Sequence, residues 1–101
     1  MEKRILIICE AGISASLLVS KMLETLRDEG LDYEVDYAPM KRIQEKLSYT
    51  NYDVLLLTPQ VARYKEEVQK IIEQEKCVSK IIFMKSEDFQ YMNVEKIINE
   101  L

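Results

Sequence analysis

Cys9 ends a run of apolar residues and is followed by Gly12, Ser14 and Ser16 in the stretch CEAGISASLLVSKM, residues 9 to 22. Those residue types at that spacing suit anion chemistry. A thiolate is a nucleophile, glycine lets the backbone approach a ligand closely, and hydroxyls donate hydrogen bonds to its oxygens. A turn that opens a helix adds unpaired backbone N–H groups and the positive end of the helix dipole, which favour phosphate and lower the pKa of a nearby thiol. On this reading Cys9 accepts or attacks a phosphoryl group. A plain packing role competes with it, because cysteine is among the most often buried residues and small residues are common where a strand turns into a helix. Ser14 and Ser16 are equally suited to simple capping. Residue types alone leave both readings open.

Two absences narrow the chemistry. The chain has no histidine and only two cysteines, Cys9 and Cys77. A zinc site of the usual kind lacks ligands, so no metal is expected. A Cys-His hydrolase lacks its base. The 14 basic and 18 acidic residues give a net charge of -4 and are scattered, which argues against a nucleic-acid partner. The longest apolar run, Ile5 to Cys9, is far short of the ~20 residues needed to cross a bilayer, and no secretory leader pattern precedes it. The cytoplasm is the expected compartment. A length of 101 residues suits one domain, 1–101.

The elements that must position Cys9 follow from hydrophobic periodicity. Arg4 to Cys9 (RILIIC) and Val54 to Thr58 (VLLLT) are apolar on both faces, as in the middle of a covered parallel sheet. Tyr33 to Ala38 (YEVDYA) alternates apolar with polar and suits an edge strand, and Lys80 to Met84 (KIIFM) is the fourth strand. Between strands one and two, Leu18, Met22 and Leu26 mark a helix over Ser16 to Glu29, capped by Gly30. Thr58 as N-cap and Pro59 at the first helical position open another, with Val61, Tyr64, Val68, Ile71 and Ile72 on its inner face. Shorter helices are expected over Met40 to about Leu47 and near Asn93 to Glu100. Lys21, Arg27, Glu66, Glu67 and Lys70 belong to solvated faces. The order is β-α-β-α-β-α-β-α, an α/β three-layer sandwich with a four-stranded parallel sheet in the order 2-1-3-4. Its ligand crevice lies beyond the carboxyl ends of strands one and three, which carry Cys9 and Thr58. Cys77 falls a strand length away at the other end, too far for a disulfide with Cys9.

Several thiol and phosphate families are excluded by single positions. A low-molecular-weight tyrosine phosphatase needs arginine six residues after the cysteine, where this chain has Ala15. A response regulator needs an aspartate at the end of the third strand, and LLLTPQ has none. A thioredoxin needs a second cysteine where Gly12 stands, and a Walker loop needs lysine where Ile13 stands. A redox sensor would need a resolving cysteine near Cys9.

One pattern does fit. The chain resembles, over its whole length, the IIB component of the lactose/cellobiose class of the bacterial sugar phosphotransferase system. Members have a first strand ending in C-S-A-G-M-S-T-S-L-L-V-S-K-M, matched by Cys9 to Met22. They carry G-P-Q-V after the third strand, matched by Thr58-Pro59-Gln60-Val61. The resemblance implies a phosphocysteine relay: Cys9 takes phosphate from a histidine of the IIA protein and passes it to a sugar held by the membrane permease IIC. The sugar would be a disaccharide or β-glucoside. It also implies that the loop of Glu10, Ala11, Gly12, Ile13, Ser14, Ala15 and Ser16 supplies the donors to the phosphoryl oxygens, with Thr58, Pro59 and Gln60 beside it. No cofactor is implied. A monomer peripherally associated with the permease is expected. Three positions depart from the pattern: Glu10 for serine, Ala15 for threonine and Thr58 for glycine. A carboxylate ~6 Å from a phosphocysteine would repel it by about 3 kcal/mol at an effective dielectric of ~20, and by less than about 1 kcal/mol if turned into water. A working carrier therefore needs Glu10 turned outward. The alternative is a non-catalytic IIB-like module that regulates or binds.

Overall fold

The computed structural model describes residues 3–10 and 12–101, without the side chains of residues 12–14. Strands β1 (Lys3–Cys9), β2 (Tyr33–Pro39), β3 (Val54–Leu57) and β4 (Lys80–Phe83) form a parallel sheet in the order β2-β1-β3-β4, as the two kinds of apolar pattern predict. Helices α1 (Gly12–Asp28), α2 (Ile43–Tyr49), α3 (Lys65–Gln74), α4 (Ser86–Gln90) and α5 (Val94–Asn99) connect and follow the strands.

Both faces of the sheet are covered, which explains the unbroken apolar run of Ile5 to Cys9 in β1. Successive side chains of a strand point to opposite faces. Ile5 and Ile7 pack with Leu18, Met22 and Leu26 of α1 and with Val94, Ile97 and Ile98 of α5. Leu6 and Ile8 pack on the other side with Ile43 and Leu47 of α2, Val61, and Val68 and Ile72 of α3. Each fully buried Leu or Ile contributes on the order of 1.5–3 kcal/mol, so β1 is the spine of the molecule.

Helix α1 ends as its sequence requires. Gly30 has φ +71°, its N–H donates to Arg27 O at 3.1 Å, and Leu31 N donates to Leu26 O at 2.9 Å. This Schellman closure needs a left-handed residue, which glycine adopts without strain. The start of α1 differs from the expected Ser16. The helix begins at Gly12, so Gly12 to Ser16 form its first turns rather than a loop leading into it. Gly, Ser and Ala carry too little hydrophobic signal to show helical periodicity.

Other boundaries shift for identifiable reasons. The segment after Pro59 opens as a 3-10 turn, Pro59–Tyr64, before α3 proper. In 3-10 geometry residues i and i+3 eclipse, which lines Val61 and Tyr64 up on the same core. Thr58 does not cap this turn with its side chain. Met40–Arg42 is likewise a 3-10 turn before α2. Helix α4 was not expected, since five residues (SEDFQ) are too short for a period to show. Between β2 and α2, Asp36 accepts hydrogen bonds from Lys46 Nζ at 2.8 Å, Tyr52 OH at 3.2 Å and Tyr37 N at 2.8 Å. Among the described residues, no helix is long and apolar enough to cross a membrane.

Candidate functional site

β1 delivers Cys9 to the carboxyl edge of the sheet, where α1 starts three residues later. The order of connections reverses here, between β1 and β3, and open parallel sheets form their ligand crevice at that point. The first-turn N–H groups of a helix have no intrahelical acceptors. In α1 that turn begins at Gly12.

The thiol itself is turned inward. Cys9 is 3% exposed, and its Sγ donates to the carbonyl oxygen of Ala38 on β2 at 3.6 Å. Burial pushes the Cys9 thiol above its ordinary pKa, the opposite of the lowering expected from the helix field. The expectation assumed a sulfur open to solvent and to the helix N-terminus. A sulfur enclosed beside a carbonyl loses the hydration that a thiolate requires, and desolvation then dominates. Cys77 is also a free thiol, half-buried, and burial followed by the charge of Glu75 raises it too.

Glu10 is turned outward, as a phosphate-loop reading demands. Its side chain is 50% exposed, and Oε1 accepts a hydrogen bond from Arg63 Nη2 at 2.8 Å. The same Nη2 donates to Tyr64 OH at 3.1 Å, and the guanidinium lies 4.9 Å from the centre of the Tyr64 ring. Arg63 was not among the residues anticipated for the site. Its partner is 53 positions away, and no spacing rule reads such a pair.

Thr58 is fully buried, and both its backbone N–H (3.1 Å) and its hydroxyl (3.0 Å) donate to Ile8 O. The residue before a proline is confined to extended backbone, here φ -70° and ψ 160°. That conformation directs the hydroxyl across to β1, one residue ahead of Cys9, instead of down to the following turn. Pro59 and Gln60, with Ser86, Phe89 and Gln90, line an open cleft of about 440 Å³. Ala15 is fully buried on the inner face of α1, so a hydroxyl there would point into the core. Ser16 is exposed on α1. Ala11 and the side chains of Ile13 and Ser14 lie outside the described residues, as do the surroundings of Gly12. The structure thus brings Cys9, Glu10, Thr58 and Arg63 together. Among the described residues no group of three His, Cys, Asp or Glu side chains lies close enough to hold a metal ion.

Comparison with known proteins places this arrangement. Residues 4–100 match the family model described as PTS system, Lactose/Cellobiose specific IIB subunit. The chain is 40% identical over 100 residues to the PTS system cellobiose-specific EIIB component of Lactococcus lactis subsp. lactis (strain IL1403), covering 96% of this chain and 91% of that one. It is 39% identical over 100 residues, with the same coverage, to a galactose-specific EIIB component of Lactococcus lactis subsp. cremoris (strain MG1363). It is 33% identical over 82 residues to an oligo-beta-mannoside-specific EIIB component of Bacillus subtilis (strain 168), covering 81% of this chain and 78% of that one. The fold is shared with the lactose-specific IIB component domain from Streptococcus pneumoniae, with a TM-score of 0.79 at 15% identity over 99% of this chain and 97% of that one. It is also shared with the cellobiose-specific phosphotransferase IIB component protein from Borrelia burgdorferi, with a TM-score of 0.74 at 25% identity over 98% and 87%.

Proposed function

The chain belongs to the lactose/cellobiose-specific IIB subunit family of sugar phosphotransferase systems, and we propose that residues 1–101 act as one phosphocarrier domain with Cys9 as its phosphoryl acceptor. The observation that carries this reading is the position of Cys9, at the last residue of β1 and just ahead of the α1 N-terminus.

The donor is a phosphorylated histidine of the IIA protein. The Cys9 sulfur attacks phosphorus in line, the S–P bond forms, the N–P bond breaks, and the thiol proton passes to the departing imidazole. Sγ leaves its hydrogen bond to Ala38 O and turns outward as the partner docks. The high thiol pKa suits this step, since the proton travels with the reaction and no base on this chain is required. First-turn N–H groups of α1 receive the phosphoryl oxygens, holding charge that a water-poor site would otherwise penalise. In the second transfer a sugar hydroxyl on the permease IIC attacks phosphorus and the S–P bond breaks. The hydroxyl proton leaves the sugar, and the sulfur regains a proton.

The sugar is a disaccharide or β-glucoside, bound by the permease and not by this chain. That the sugar is chosen by the permease, not by this chain, is supported by the three different sugars, cellobiose, galactose and oligo-beta-mannoside, in the names of relatives at 33–40% identity. The protein works as a monomer in the cytoplasm, at the permease.

The test is a phosphopeptide map after exposure to a phosphorylated IIA protein of the cellobiose class, on wild type, Cys9→Ala and Cys77→Ala. Label on the Cys9 peptide in wild type and in Cys77→Ala, and none in Cys9→Ala, is the expected result. A wild type that takes no label would make the chain a non-catalytic binding module. Label kept in Cys9→Ala would move the site.

A further inference from the structure

A phosphoryl group on Cys9 brings close to two negative charges beside the Glu10 carboxylate, and Glu10 is adjacent to Cys9, with Cα atoms ~3.8 Å apart. The guanidinium of Arg63 is at that edge, and it already holds Glu10. Both of its hydrogen bonds leave from Nη2, so among the described residues Nη1 and Nε keep their donors. The Tyr64 ring and hydroxyl fix the plane of the guanidinium, which limits the side-chain freedom lost when a further acceptor arrives. A planar fork with spare donors, anchored at the acceptor's neighbour, is the geometry that binds phosphate bidentately.

Resting on the phosphocarrier reading above, we infer that Arg63 binds the phosphoryl group on Cys9, bridging it to Glu10. The missing phosphatase arginine at position 15 is thus replaced from a different element, the 3-10 turn after β3. Glu10 is thereby compatible with phosphorylation, because its charge is offset before the phosphate arrives. The side chains are 62% and 50% exposed, so the effect is screened and moderate.

The experiment uses the full chain and the same phosphorylated IIA protein, with Arg63→Ala, Arg63→Lys, Glu10→Ser and the double variant Glu10→Ser/Arg63→Ala. Two quantities are read: the phosphorylated fraction against a fixed donor pool, and the ³¹P titration midpoint of the phosphocysteine. A neighbouring cation favours the dianion and a neighbouring carboxylate opposes it. Arg63→Ala is therefore expected to lower the equilibrium constant about fivefold and to raise the midpoint. Arg63→Lys falls between wild type and Arg63→Ala, since the charge stays but the planar fork is lost. Glu10→Ser lowers the midpoint, because Arg63 then serves the phosphoryl group alone, and the double variant returns towards wild type. All differences shrink at ~0.5 M salt. A wild type labelled on Cys9 whose fraction and midpoint are unchanged in Arg63→Ala would overturn this inference and leave the carrier reading standing. A wild type without label on Cys9 would overturn both.

Discussion

Thr58 gives the sharpest test of how the site is held together. Replacing it with valine keeps the branched shape but exchanges a buried hydroxyl, 3.0 Å from Ile8 O, for a methyl group. Ile8 O keeps its other donor, the Thr58 backbone N–H at 3.1 Å, so no buried acceptor is orphaned. The loss is therefore the net value of one neutral hydrogen bond, about 1 kcal/mol, rather than the larger desolvation penalty of an unpaired group. For a domain near 100 residues that corresponds to a fall in Tm of about 4–8 °C. Thr58→Ala also deletes a fully buried methyl group and is expected to cost roughly 2 kcal/mol. The Ile8 carbonyl belongs to the same peptide unit as the Cys9 N–H, so loosening it should free the strand end as well. Alkylation of Cys9 relative to Cys77 should then rise in Thr58→Val under native conditions. Thermal unfolding by circular dichroism and timed alkylation with peptide mapping provide the two readouts. A Thr58→Val protein that melts within about 1 °C of wild type, with an unchanged Cys9 rate, would refute the idea that this hydroxyl ties β3 to β1.

Burial alone would raise the Asp36 carboxyl, but the hydrogen bonds from Lys46 and Tyr37 N and the Lys46 charge outweigh it and hold the group below its ordinary value. The same hydrogen bond holds Lys46 above its own. A lowered acid contributes stability above its unfolded pKa and loses it as pH falls through the folded value; a raised base contributes below its unfolded pKa and loses it as pH rises through the folded value. Lys46→Met should therefore differ from wild type most between about pH 5 and pH 10, converging at either extreme, and by only about 0.5 kcal/mol because both side chains are more than a third exposed. Urea melts across pH check this, and a difference that grows towards pH 3 would contradict it. Gly30→Ala should destabilise by about 1 kcal/mol through its positive φ alone, since no heavy atom lies within 4 Å of the added Cβ, and Gly30→Asn should cost less. A Gly30→Ala melt equal to wild type would show that the closure of α1 is not strained.

The sheet is legible in the sequence because burial on two faces leaves a different record from burial on one. ILIIC and VLLL carry no charged position on either face, while YEVDYA does, and that contrast places β1 and β3 inside and β2 at the edge. The left-handed closure at Gly30 is equally legible, since few residues other than glycine take that backbone. Cys9 and Thr58 follow from the topology, being the residues at the ends of the two inner strands. Arg63 does not follow, because its significance lies in a contact with Glu10 that only the packed structure creates, and in sequence it is one cation among many. The high pKa of Cys9 was missed for a related reason. The field of a helix terminus can be read from a turn pattern, whereas the direction in which a side chain points, here towards Ala38 O, cannot.

The enclosure of Cys9 also bears on damage. Peroxide and other adventitious oxidants attack the thiolate, so a sulfur that is 3% exposed, protonated and committed to Ala38 O is a poor target for conversion to sulfenic acid and beyond. A carrier whose only nucleophile were permanently ionised would be inactivated by each such encounter. On the proposed carrier reading, a thiol kept inward between turnovers would expose its sulfur only for the lifetime of a docked complex. The residue can therefore stay reduced without a second cysteine to repair it, and Cys77 is free to serve the packing of the opposite end of the sheet.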